Sequence, residues 1–368
     1  MRVLVTGANG FIGKNLLVHL ARLPEVEVLP VVRESTPADL LAAASRADHV
    51  FHLAGVNRPK DPAEFAAGNA DFTRALCDAL RATGRPIPVT FASSIQAGRD
   101  SPYGRSKREG EDALRRYQAE SRSRVALYRL PNVFGKWCRP NYNSAVATFC
   151  HNLTRGLPIV VPDPSAALSL AYIDDVIASF IEGLDDKQAG VVCPEVTPVY
   201  ATTVGEVAAL IRTFRQGRDS LVVEAVGTGL TRALYSTYVS YLPPGEFSYT
   251  VPKHGDARGD FVEMLKTRDS GQMSYFTAHP GVTRGGHYHH SKTEKFLVLK
   301  GRAQFGFRHI GTGERFEIQT SGDVPCIVET VPGWSHDITN VGNEEMIVML
   351  WANEIFDRDH PDTYAHPV

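Results

Sequence analysis

Gly7-Ala8-Asn9-Gly10-Phe11-Ile12-Gly13 follows the apolar run Val3-Leu4-Val5 and opens an amphipathic stretch over residues 13–23. Strand, glycine-rich turn and helix in that order make a nucleotide-binding βα unit. The glycines permit a tight turn and close backbone approach, and the helix N-terminus attracts a pyrophosphate. Gly7, Gly10, Phe11, Ile12 and Gly13 are therefore the expected dinucleotide contacts. The position of the motif, directly after an apolar strand, distinguishes it from an incidental turn.

Outward from this unit, Val26-Glu27-Val28-Leu29, His49-Val50-Phe51-His52-Leu53 and Pro88-Val89-Thr90-Phe91 read as further buried strands. Amphipathic stretches at 63–83 and 104–121 alternate with them. That alternation predicts an α/β, Rossmann-like parallel sheet covered on both faces. A less regular stretch with one helix near 204–216 follows. Tyr241-Leu242-Pro243-Pro244-Gly245 is a turn-rich break. Beyond it come short strands at 271–278, 295–299, 302–308, 315–319, 325–329 and 346–352, with no helices between, as in an antiparallel barrel or sandwich. The expected division is a nucleotide-binding domain over 1–243 and an all-β domain over 244–368.

At the end of the second strand, Arg33 stands where NAD-preferring folds usually carry an acidic residue, and it can meet a ribose 2′-phosphate. This favours NADP, with Glu34 next door and an exposed loop arginine as the other reading. Tyr103-Gly104-Arg105-Ser106-Lys107 places a tyrosine and a lysine four apart, on one helical face. The ammonium is expected to lower the phenol pKa and to bond the nicotinamide ribose. Tyr103 then gives a proton to a carbonyl oxygen as hydride arrives. Ser94, at a strand end, can polarise that carbonyl, with Ser93 as its rival.

In the second half, His287, His289, Glu294 and Gly301 give the pattern H-x-H-x4-E-x6-G, and His336 follows in Pro332-Gly333-Trp334-Ser335-His336. Alternation on a strand turns His287 and His289 to one face. Three imidazoles and a carboxylate suit a divalent metal such as Zn, Fe, Mn or Ni, with Zn first.

The 368 residues carry 43% hydrophobic and 22% charged residues and a net charge of −2. The balance is that of globular domains, and no basic excess exists to hold nucleic acid. No apolar run approaches the roughly 20 residues that span a bilayer. Five scattered cysteines without a C-x-x-C pair, and a strand starting at once, fit a cytoplasmic protein with reduced thiols.

The first half resembles the extended short-chain dehydrogenase/reductases (SDRs) that act on nucleotide sugars. The resemblance rests on the glycine turn, Tyr103 and Lys107, and on His52-Leu53-Ala54-Gly55 at the family's fourth strand. It also rests on Asn69, Arg129-Leu130-Pro131-Asn132-Val133-Phe134-Gly135 and Tyr172-Ile173-Asp174-Asp175. It implies cofactor contacts at Leu53, Ala54, Gly55, Asn69, Lys107 and Asn132. Only nine positions separate Ser94 from Tyr103, fewer than in most relatives.

The second half resembles the cupins, which are jelly-roll barrels. Its Asp256–Glu263 stretch, spelled DARGDFVE from 256 to 263, and Arg284-Gly285-Gly286-His287 resemble the metal-free cupin epimerases of 4-keto deoxysugar nucleotides. There the histidine matching His287 is the base. If His287 instead binds metal, the base lies elsewhere, with His290, Lys295 and Tyr275 as candidates.

Nearly the whole chain resembles the bifunctional capsular-polysaccharide enzymes that fuse an extended SDR domain to a cupin domain. The resemblance implies a UDP-2-acetamido-2,6-dideoxy-4-hexulose substrate, epimerised at carbon 3 in the cupin domain. NADPH-dependent reduction at carbon 4 then gives UDP-N-acetyl-6-deoxy-L-talosamine, on the way to UDP-N-acetyl-L-fucosamine for capsule or O-antigen. It implies a homodimer as well. The alternative is a nucleotide-sugar 4-epimerase or dehydratase whose cupin only senses sugar or dimerises.

Overall fold

The structure is a computed structural model; it describes the chain apart from Lys60, Pro62, Lys187, Ala257, Arg258, Glu263, Met264, 268–270 and 355–358. The first unit begins β1 (Arg2–Thr6), α1 (Phe11–Leu20), β2 (Glu27–Val31), α2 (Pro37–Arg46), β3 (His49–His52), α3 (Phe72–Ala82) and β4 (Val89–Ser94). It continues with α4 (Pro102–Ser121), β5 (Arg124–Leu130) and β6 (Asn132–Phe134). The chain then makes α5 (Ala145–Leu153), β7 (Ala167–Tyr172), α6 (Ile173–Glu182) and β8 (Gly190–Val192).

The main sheet has the order β2-β1-β3-β4-β5-β8, and its paired strands are all parallel. Val3, Leu4, Val5, Val50 and Phe51 on its central strands are fully buried, which explains their unbroken apolar runs. Local chemistry sets the helix starts. Thr36 and Asp39 form a capping box before Pro37, and Ser101 caps α4 with Pro102 at its first position. The His52 strand is third in chain order, not fourth, because α2 leads straight into it. The helix expected over 63–83 begins as a π-helical turn, Ala66–Asp71, before α3.

The second unit comprises β9 (Tyr200–Thr203, entered at its end), α7 (Val204–Ser220), β10 (Val222–Val223), α8 (Gly229–Ser240), β11 (Ser248–Thr250), β12 (Lys253–Asp256) and β13 (Gly259–Val262). Then come β14 (Lys266–Thr267), β15 (Gln272–Ala278), β16 (Thr283–Tyr288), β17 (Glu294–Lys300), β18 (Arg302–His309) and β19 (Arg315–Ser321). The last strands are β20 (Cys326–Glu329), β21 (Trp334–Asn340), β22 (Met346–Ala352) and β23 (Tyr364–Ala365).

Two five-stranded antiparallel sheets, β11-β20-β17-β22-β15 and β19-β18-β21-β16-β23, form the jelly roll. Phe247, Phe305, Phe307, Val348 and Trp351 are buried within this unit. Ala257, Arg258 and Glu263 of the epimerase-like stretch lie outside the described residues.

By compactness the chain divides into 1–144 with 168–201, and 145–167 with 202–368. Helices α5, α7 and α8 thus go with the barrel. Physical ties explain it: Arg218 of α7 pairs with Glu329 of β20 at 3.3 Å, and Ser236 of α8 donates to the Ser291 carbonyl at 2.6 Å. Thr154, just past α5, donates to the Tyr241 carbonyl at 3.1 Å.

Candidate active sites

In the first unit, the expected site residues gather at the C-terminal edge of the parallel sheet, where open α/β sheets bind ligands. Gly7 has φ +70°, and a Cβ there would lie 2.7 Å from the Ala54 backbone. A Cβ on Gly13 would lie 2.3 Å from the Gly7 carbonyl, so strand, turn and helix can close this tightly only with glycine. Gly10 caps α1 in an extended conformation with no side-chain bond, which leaves the N–H groups of Phe11 and Ile12 for an anion. Arg33 is exposed two residues after β2. Leu53, Ala54 and Gly55 follow β3, where the Leu53 and Ala54 N–H groups donate to Thr6 Oγ1 at 3.2 and 3.3 Å.

Asn69 sits in the π turn, a form common at functional sites. Its amide donates to Ser106 Oγ at 2.9 Å and to the Val56 carbonyl at 3.0 Å, and accepts from the Val56 N–H at 2.8 Å. This pins the turn to the helix that carries Tyr103 and Lys107. Beneath it, His52 bridges Thr6 Oγ1 (2.7 Å) and Thr73 Oγ1 (2.8 Å). Burial pushes His52 down to about 3, so its ring is neutral.

Ser94 ends β4 and caps a short 3₁₀ turn, Ile95–Gly98, by accepting from the Gln96 N–H at 3.2 Å. That turn and the Ser101 cap take up the short Ser94–Tyr103 interval. The Ser94 side chain is near enough to the Tyr103 phenol to work toward lowering its pKa. Ser93, one residue back and on the other face, donates to the buried Glu111 carboxylate at 2.6 Å. Glu111 also accepts both arms of Arg129, at 2.9 and 2.7 Å. Ser93 is thereby committed elsewhere.

Lys107 is buried, donates to the Ala92 carbonyl at 3.0 Å, and is pushed down to about 8 by desolvation, against the pull of Glu111. The expected depression of the phenol is not found. Burial raises Tyr103 above its ordinary value, and only Ser94 works the other way. Asn132 opens β6, two residues after Leu130, which is paired with Ser94 in the sheet.

In the second unit, the ligand atoms of His287, His289, Glu294 and His336 all lie within 4.8 Å of one another. Glu294 Oε2 is 3.1 Å from His289 Nε2 and 3.5 Å from His336 Nε2. His287 belongs to β16, Glu294 to β17 and His336 to β21, and His287 and His336 are direct cross-strand partners. For His289 the expected strand alternation does not hold. Strand β16 ends at Tyr288, so the loop that follows brings His289 in.

Burial lowers His287 to about 4 and also lowers His336, so both rings are neutral donors. Burial alone would raise the Glu294 carboxyl, but His289 and His336 hold it well below its ordinary value. Three imidazoles and one carboxylate, convergent and largely buried, fit a divalent cation.

None of the three base candidates joins this cluster. Lys295 follows Glu294 on the strand, so it faces the other way and pairs with Glu329. Tyr275 is 72% exposed. His290 packs against Tyr288 and Tyr364. The group that sequence reasoning missed is Lys292, whose ammonium is 3.0 Å from Glu294 Oε1.

Residues 3–192 match the NAD dependent epimerase/dehydratase family, and residues 254–364 match the polysaccharide biosynthesis C-terminal domain. The chain belongs to the NAD dependent epimerase/dehydratase family and is an enzyme of nucleotide-dependent redox chemistry, built as an SDR domain followed by a cupin domain. It is 59% identical, over 99% of its length and 98% of the relative's, to UDP-2-acetamido-2,6-beta-L-arabino-hexul-4-ose reductase of Pseudomonas aeruginosa.

Its structure is similar to that of the capsular polysaccharide assembling protein CapF from Staphylococcus aureus, with TM-score 0.68, 42% identity and 100% of both chains covered. UDP-glucose 4-epimerase of Thermus thermophilus, in complex with NAD, matches 59% of this chain and 84% of its own, with TM-score 0.51 and 24% identity. That last likeness speaks for the fold alone. No helix among the described residues is long and apolar enough to cross a membrane.

Proposed function

We propose that the chain is a bifunctional UDP-sugar enzyme whose two units act on one 4-keto sugar, UDP-2-acetamido-2,6-dideoxy-4-hexulose. The second unit epimerises carbon 3 and the first reduces the carbon-4 ketone with NADPH, giving UDP-N-acetyl-6-deoxy-L-talosamine. The observation that carries the reading is a strand-end Ser94 beside the Tyr103 phenol, one helical turn from the Lys107 ammonium, in a chain that also holds a three-histidine, one-carboxylate cluster. End-to-end identity with a reductase of a UDP-hexul-4-ose supports the substrate class.

In the first unit, Ser94 and Tyr103 hold the ketone oxygen. Tyr103 would give that oxygen a proton, and NADPH, when bound along this edge, would supply the hydride that turns the C=O bond into CH–OH. Lys107 would orient the cofactor ribose. Gly7, Gly10, Phe11, Ile12, Gly13, Leu53, Ala54, Gly55, Asn69 and Asn132 line the cofactor edge, and Arg33 takes the 2′-phosphate.

In the second unit, His287, His289, Glu294 and His336 would hold a divalent metal, Zn first. When bound it would draw charge from a sugar carbonyl and so acidify the neighbouring C–H. Lys292 adds a cation beside the cluster. The carbon-3 proton is acidic only while carbon 4 is a ketone, so epimerisation precedes reduction. The assignment of reduction to the first unit and epimerisation to the second, a homodimer and a cytoplasmic location belong to the same proposal.

Incubating the UDP-4-keto sugar with NADPH in deuterated water tests it. NMR should find deuterium at carbon 3 and a reduced carbon 4. A reduced product with protium at carbon 3 would remove the epimerase half.

A further inference from the structure

We infer that Asp362, close to the C-terminus, is a positioning residue for the metal cluster, holding the loop 289–292 in the shape that delivers His289. The inference rests on the metal reading above. Strand β16 ends at Tyr288, so nothing in the sheet ladder aims His289. Asp362 supplies what the ladder does not. Its carboxylate accepts the backbone N–H groups of three successive residues: His290 at 2.9 Å on Oδ1, and Ser291 and Lys292 at 2.7 Å each on Oδ2. The Ser291 hydroxyl adds a fourth bond to Oδ2 at 3.0 Å.

The same residue's main-chain carbonyl faces His289 Nδ1. A carbonyl oxygen can only accept, so His289 donates to it from Nδ1, and this bond turns the other ring nitrogen, Nε2, to the cluster, 3.1 Å from Glu294 Oε2. Partners of this kind fix ring orientation and tautomer at metal sites. The loop they shape also carries Lys292 to Glu294 Oε1, at 3.0 Å.

Neighbours of Asp362 reinforce the arrangement. Strand β23 pairs with His287 and Tyr288, and the His366 N–H donates to the Gly286 carbonyl at 2.8 Å. His366 Nδ1 also lies 3.1 Å from the hydroxyl of Ser335, the residue before His336. The C-terminal segment thus touches the backbone or neighbours of all three histidines.

The test uses the full chain, as wild type, Asp362→Asn and Asp362→Ala, stripped with chelator and reloaded. Zinc content is read by elemental analysis, affinity by competition with a chromophoric chelator, and ligand geometry by the visible spectrum of the cobalt-loaded protein. Wild type should take up zinc. Asp362→Asn, which keeps the shape but loses an acceptor, should bind roughly 10–100-fold more weakly and shift the cobalt spectrum. Wild type that takes up no zinc overturns the metal reading itself. Wild type that binds, with folded variants matching it in affinity and spectrum, overturns the role of Asp362 alone. Loss of fold in both variants overturns it too, because Asp362 would then hold the barrel as a whole.

Discussion

Ser93 donates its hydroxyl to the buried Glu111 carboxylate at 2.6 Å, so of two adjacent serines only Ser94 is left facing Tyr103. Ser94→Ala should therefore lower kcat for NADPH oxidation about 10²–10³-fold, the effect of losing one donor to a reacting oxygen. Ser93→Ala should leave kcat within a few-fold and cost roughly 1.5–3 kcal/mol of stability, as for a lost bond to a charged partner. Stopped-flow absorbance and urea unfolding read the two. The reverse pattern would exchange the serines' roles.

The pH profile of reduction should bend at Lys107. Its pKa in the fold, about 8, lies below the ordinary 10.5, so the cation is present below pH 8 and lost above it. The value of kcat/KM should be level on the acid side and fall as pH rises through about 8. Glu111 raises that value, and His52, lowered to about 3, stays neutral throughout. Glu111→Gln should move the bend to lower pH. For stability the sign is opposite: between 8 and 10.5 the unfolded chain binds the extra proton, so this group's contribution improves as pH rises. A profile level to pH 10 would remove Lys107 from the chemistry.

Gly13→Ala puts a Cβ 2.3 Å from the Gly7 carbonyl, whereas Gly98→Ala meets nothing within 4 Å. The first should cost roughly 1–3 kcal/mol, as overpacking does, and weaken NADPH binding. The second should do neither. Thermal melts with and without NADPH separate the pair.

The two sites should fail independently. Tyr103→Phe should abolish NADPH oxidation and leave deuterium exchange at carbon 3 intact. His287→Ala should strip the metal and the exchange, and spare NADPH oxidation with a ketone already epimerised. Loss of both activities in either variant would contradict the division of labour.

The parts of these sites that were legible in the sequence are those set by local geometry. The glycine turn is one, since steric closure at Gly7 and Gly13 admits no other residue. The Tyr103–Lys107 spacing is another, since both lie on one face of α4. Strand alternation predicts His289 beside His287, but β16 stops one residue earlier and the loop after it brings the ring there. Lys295, next to Glu294 in the sequence, is sent by strand alternation to the opposite face, where it pairs with Glu329. Lys292 and Asp362 left no local signal. Asp362 is 73 residues from His289, and only the fold brings the two together.

The chain's excursion through 145–167 means that the backbone passes between the two units three times, at about 144, 168 and 201. The enzyme is stitched rather than hyphenated. Cutting the gene after codon 243 would leave α5, α7 and α8 with one fragment and their packing partners with the other. A working separation therefore calls for three breakpoints and two new linkers, one joining 144 to 168 and the other joining 167 to 202.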